Sequence, residues 1–167
     1  MKIVLAILTL FASLGTHAQS RTVNGLVLNE EISPLWYVSI YINDWDKVGE
    51  TDSNGKYEIT VPVGVDSIIF RGVGYQPLLV KLTPECSHVE VIMILAGTND
   101  FMSPEKSDRH RRRDFDKVSK LYPVAVEKGL FRPGTPCYKV IFQPNAQEMR
   151  EKHRQRLRKQ HSAQQQL

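Results

Sequence analysis

His88 and Glu90 stand two residues apart, which puts an imidazole and a carboxylate on the same face of any strand that carries them. Such a pair could share a proton or offer two ligands to zinc. Zinc would need a third ligand and an open position, and no His-Glu-x-x-His or comparable spacing supplies them. A surface pair is the simpler expectation. Asp52, Asn54 and Gly55 resemble the start of a calcium loop, but Lys56-Tyr57-Glu58 continues into a strand and no distant bidentate Glu follows. A tight turn accounts for them.

Two cysteines, Cys86 and Cys137, complete the reactive inventory, and neither has the His partner pattern of a catalytic thiol. In an oxidising compartment they could join; otherwise they are buried or free thiols, and the sequence admits both. A bridge would be worth about 4 kcal/mol in the chain-entropy model. Four histidines lie beyond the first 18 residues, His88, His110, His153 and His161, and no Ser-His-Asp, Cys-His or paired-carboxylate constellation forms around them. The expectation is a protein that is not an enzyme and carries no metal or cofactor.

Binding has better candidates. Trp45 lies between Asp44 and Asp46 in an expected loop, where an aromatic platform with flanking acids could hold a sugar or a peptide. The alternative, which the small size of the module favours, is that Trp45 closes the end of its core. Two basic segments follow: Arg109, Arg111, Arg112 and Arg113 in one, and Arg150, Arg154 and Arg158 on one stripe of the other. They could dock on anionic lipid headgroups, where each cation contributes about 1 kcal/mol, or on an acidic envelope protein, or simply stay solvated. Nucleic acid is not expected as a partner.

These residues need a framework, and the chain divides by charge. Residues 19–104 carry 5 basic and 11 acidic side chains, a net of −6, whereas residues 105–167 carry 16 basic and 7 acidic, a net of +9. Ahead of both, an apolar run over 3–14 after Lys2 and the small-x-small site Thr16-His17-Ala18 predict a secretory signal peptide over 1–18. That run is too short to span a bilayer, and no later stretch is longer, so no transmembrane segment is expected in the mature chain. The domains expected are the signal peptide, a β-module over 19–97 and a basic extension over 98–167.

Alternation of period two predicts strands around Val23 to Val27, Val38 to Ile42, Val48 to Thr51, Tyr57 to Val61, Ser67 to Phe70, Leu78 to Leu82 and Val89 to Leu95. Gly25 falls where a neighbour comes close, and Asn54-Gly55 predicts a tight hairpin that makes the third and fourth strands neighbours. Beyond Gly97 the sequence predicts a linker holding the basic cluster. A short helix through Phe115, Val118 and Tyr122 follows, limited or restarted at Pro123 and stopped at Gly129; one further strand over 138–142 is an option. Asn145 with Glu148 predicts a second helix to about Lys159, and the Gln-rich end is expected to be disordered.

Val23-x-Gly25-x-Val27, Thr51-Asp52-x-x-Gly55-x-Tyr57-x-Ile59, Val61-Pro62 and Gly74-Tyr75 together resemble the carboxypeptidase regulatory-like family. Its members are small transthyretin-like sandwiches common in exported proteins of Bacteroidetes-type bacteria. The resemblance implies a seven-stranded Greek-key (transthyretin/prealbumin-like) β-sandwich, here with a partly helical basic extension. It also implies an accessory setting, beside peptidase units or outer-membrane receptors, and it carries no catalytic residues. The expected function is a non-catalytic binding or assembly module of the cell envelope, in the periplasm, at the outer-membrane periphery or outside the cell. The alternative is an accessory subunit modulating a peptidase or glycan-degrading enzyme.

Overall fold

In a computed structural model the chain is described over residues 19–97, 102–145 and 151. The expected signal peptide, Glu148 of the capping box, the second helix apart from Glu151, and the Gln-rich end lie outside the described residues, and with them Arg150, Arg154 and Arg158. Asn145 is described and gives its N–H to Asp108 Oδ1, and Glu151 is helical.

The described chain is mostly β. Eight strands form two sheets: β1 Ser20–Leu28, β2 Ser39–Ile42, β3 Asp46–Glu50, β4 Lys56–Pro62, β5 Ser67–Arg71, β6 Leu78–Leu82, β7 His88–Ile92 and β8 Tyr138–Ile141. One helix, α1, spans Pro104–Glu127 between β7 and β8. The three-stranded sheet has the order β4-β1-β7 and the five-stranded sheet β3-β2-β5-β6-β8. Strand β1 runs antiparallel to β4 and parallel to β7; every pairing in the larger sheet is antiparallel.

Alternation places the core between the sheets. Along β4, Tyr57, Ile59 and Val61 are buried while Lys56, Glu58, Thr60 and Pro62 are exposed. With Val23, Val27, Val89 and Val91 they meet Ile40, Ile42, Ile68, Phe70, Leu78, Val80 and Leu82 of the other sheet. A second apolar cluster lies on the outer face of the small sheet, where Leu28, Ile32 and Ile92 pack with Ala125 and Phe131, flanked by Val118, Leu121 and Tyr122 of α1. Strand β7 is therefore covered on both faces, but β4 on only one.

Gly25 is required by geometry. A Cβ there would lie 1.7 Å from the Val89 carbonyl oxygen. Across the same gap the Tyr57 hydroxyl donates to that oxygen at 2.8 Å, so β4 reaches over β1 to β7.

Three expectations change. The Asn54-Gly55 turn does not make a hairpin, because β3 pairs with β2 and β4 with β1; the turn instead carries the chain from one sheet to the other. Gly55 does take a positive φ of 71°, and Asp52 Oδ1 accepts from the N–H groups of Asn54 and Lys56. Buried Thr51 explains the crossing: its hydroxyl accepts from Val38 N–H and donates to Leu35 C=O, which turns the chain inward before the glycine. Secondly, the basic cluster 109–113 is not in a linker but inside α1, which starts at Ser103 as N-cap with Pro104 in its first turn. Thirdly, Pro123 lies within α1 rather than ending it; the proline is exposed, and the helix stops at Lys128 with Gly129 at φ 70°. The further strand offered over 138–142 is present as β8, which extends the five-stranded sheet along β6.

A disulfide joins Cys86 to Cys137 across 51 residues, anchoring the chain just before β8 to the chain just before β7. Two outcomes test this framework. Gly25→Ala should lose about 3 kcal/mol or more of unfolding free energy in guanidinium titration, because the added methyl has no room beside Val89; a loss under about 1 kcal/mol would contradict the close approach. Replacing both cysteines by serine should cost about 4 kcal/mol by the loop-entropy argument, and an unchanged denaturation midpoint would count against the bridge.

Candidate functional site

Because α1 covers only part of the small sheet, a cleft of about 610 Å³ opens beside it, lined by Asn24, Tyr57, Glu58, His88 and Glu90 among others. A second cavity of about 200 Å³ shares His88 and Glu90 and is walled by Tyr122, Arg132, Cys137 and Tyr138. The His88/Glu90 pair thus sits between two cavities, with His88 half-buried and Glu90 buried. Glu90 is 5 % exposed.

Every polar atom of the Glu90 residue is engaged. One carboxylate oxygen faces His88 Nε2 at 2.8 Å, and the other accepts the Arg132 N–H at 2.9 Å. Its backbone N–H donates to the Tyr138 hydroxyl, which in turn donates to the Glu90 carbonyl. On the other side of the ring, His88 Nδ1 lies 2.6 Å from Asn24 Oδ1. A buried carboxylate is tolerated only with such compensation. The network braces β1, β7, β8 and the segment after α1 together. Proton transfer from His88 to a bound molecule would first have to break one of its two contacts.

Burial raises the Tyr57 phenol above its ordinary value near 10, with the charges of Tyr138 and Glu90 acting in the same direction. Tyr138 is raised by burial first and by neighbouring Tyr122 next. Among the described residues no group of three or more His, Cys, Asp or Glu side chains is placed to hold a metal ion.

The aromatic candidate behaves differently from the expectation. Trp45 does not close the core; it is 84 % exposed in the turn between β2 and β3. The turn reverses through Asn43 at φ 52° and Asp44 at φ 64°, so the indole is carried outward. Arg71 holds this turn, donating to the Asp44 carbonyl at 2.7 Å and pairing with its carboxylate at 3.4 Å, while its guanidinium sits 4.9 Å from the centre of the Tyr41 ring. Asp46 opens β3 opposite Ile42. The structure therefore groups Asp44, Trp45 and Asp46 on a clamped turn, with a free ring between two carboxylates. Such a surface can stack against a sugar face or an extended peptide while accepting hydrogen bonds from it.

Two further aromatic rings of this aromatic-rich stretch are exposed. Trp36 and Tyr37 are 61 % and 66 % exposed, with ring centres 5.0 Å apart, just ahead of β2. The available signal was Pro34 nearby, which breaks the alternation before β2 begins.

The arginines expected to meet a partner divide in two. Arg111 is turned inward, pairing with Asp108 at 2.9 Å and lying 5.4 Å from the Phe142 ring centre. Arg112 pairs with Asp116 at the surface and also approaches Phe142. Arg109 and Arg113 are exposed. No model of a known protein family matches the sequence, and no curated protein matches it.

The sign of the alkaline response follows from the tyrosines. A fold that raises a phenol's pKa favours its neutral form, so the stabilisation is complete below pH 10 and is lost as pH rises beyond it. Unfolding midpoints should fall from pH 9 to pH 11.5, and the fall should be shallower in Tyr57→Phe and Tyr138→Phe than in the parent. Parallel curves for all three proteins would contradict the assignment.

Proposed function

We propose that the protein is an exported, non-catalytic binding or assembly module of the cell envelope, built on a transthyretin-like Greek-key sandwich of the carboxypeptidase regulatory-like type. The motif residues support the fold part of this reading, since Gly25, Thr51, Asp52, Gly55 and Tyr57 each fill a structural role in the turn or the small sheet. The disulfide suits an oxidising compartment. No helix among the described residues is long and apolar enough to cross a membrane.

One observation carries the binding part: the exposed Trp45 on the turn that Arg71 clamps. Exposing a large indole gains nothing for folding, and a turn held by Arg71 lowers the ordering cost of binding with it. The His88/Glu90 network is read as a brace within the same module. The neighbouring reading, an accessory subunit of a peptidase or glycan-degrading enzyme, draws on the same surface, because a ring between Asp44 and Asp46 suits a sugar.

Trp45→Ala separates recognition from stability. Its unfolding free energy should stay within about 0.5 kcal/mol of the parent, as for an exposed site. Its binding to isolated envelope fractions or to immobilised glycans should weaken at least tenfold, the loss typical of an aromatic anchor. Unchanged binding would remove this surface from the proposal, and a large stability loss would return Trp45 to a structural role.

A further inference from the structure

We infer that the outward face of α1 is a docking surface for an anionic lipid bilayer. This deepens the envelope reading above by naming the partner of the basic extension.

The inward side of α1 is committed to the fold. Val118, Leu121, Tyr122 and Ala125 pack on the outer face of the small sheet, Phe115 packs against the main core, and Arg111 is held by Asp108 and Gln76. At about 100° per residue, Lys106, Arg109, Arg113, Lys117 and Lys120 fall within one arc on the opposite side. All five are exposed. Lys117 is paired with Asp114. Among the described residues, Lys106, Arg109, Arg113 and Lys120 make no ion pair. The four cations line a straight path of about 21 Å, from 14 residues at 1.5 Å rise.

Two observations favour a lipid surface over nucleic acid. The Cys86–Cys137 disulfide fits an oxidising compartment, in keeping with the envelope reading, where a bilayer presents headgroup phosphates. The aromatic rings of the helix, Phe115 and Tyr122, are turned inward, so the stripe offers no platform on which a base could stack. Of the large apolar side chains of the helix, Val124 alone is exposed. The contact is consequently electrostatic and superficial, and it weakens with salt.

The test uses the full chain without residues 1–18, and vesicles of phosphatidylcholine with or without 30 mole per cent phosphatidylglycerol. Binding is expected only to the anionic vesicles at low salt, with loss at 300 mM salt. At about fivefold per cation, K106Q/R109Q/R113Q/K120Q should weaken binding at least 100-fold and R109Q/R113Q about twentyfold, both with the parent's melting temperature. If the quadruple variant does not fold, the double variant decides. R150Q/R154Q/R158Q should retain most of the binding. The inference is overturned if the parent ignores anionic vesicles, if either stripe variant binds like the parent, if only the 150–158 variant loses binding, or if duplex DNA binds more tightly than the vesicles. Trp45→Ala should bind the vesicles normally, so failure here and failure of the Trp45 surface are read separately.

Discussion

The three-stranded sheet depends on the hydroxyl of Tyr57 passing over Gly25 to the carbonyl of Val89. This contact ties the two outer strands to each other across the central one. It also fixes the Tyr57 ring edge-on to Phe70 of the opposite sheet, at 5.5 Å between centres. A glycine is required below, a buried aromatic above, and a turn that delivers Tyr57 in register. Thr51, Asp52 and Gly55 provide that turn, with Gly55 so close to Val27 that a Cβ would meet its carbonyl at 2.5 Å. One stretch of seven residues thus sets the spacing of both sheets.

The second constraint is the open edge of β7. Its Glu90 backbone groups would face solvent or a partner strand, and unpaired edges invite association. Here the Tyr138 hydroxyl serves both of them, the Glu90 carboxylate takes the Arg132 amide, and the disulfide fastens the chain immediately before each strand. The basic extension is therefore part of the folded body across 102–145. The Trp45 turn and the cationic stripe of α1 are carried on one framework.

How much of this was legible depends on the range of the interactions. Alternation in β4 and the close approach at Gly25 are local or nearest-strand properties, and both could be read from residue types. The Asn54-Gly55 turn was misread because a positive φ at Gly55 is equally required by a hairpin and by a sheet-to-sheet crossing; the buried Thr51 hydroxyl decides between them through partners 13 and 16 residues away. His88 and Glu90 looked superficial because the groups that bury them, Arg132 and Tyr138, lie 42 and 48 residues on. Trp45 reads as core by its type, and only the conformations of Asn43 and Asp44 turn it outward. In 104–127 the helical spacing of Phe115, Val118 and Tyr122 was legible, whereas the run of charge obscured the start of the helix at Pro104 and Pro123 its continuation through Ala125.

Hydrogen exchange of the oxidised protein tests most directly whether the extension belongs to the fold. Amides of Tyr138–Ile141, of Arg132 and of the inner turns of Pro104–Glu127 should exchange as slowly as those of Ser20–Leu28 and His88–Ile92, through the same cooperative opening. Exchange of 104–145 at unprotected rates beside a protected 19–97 would contradict it, and would reduce the extension to a tethered tail.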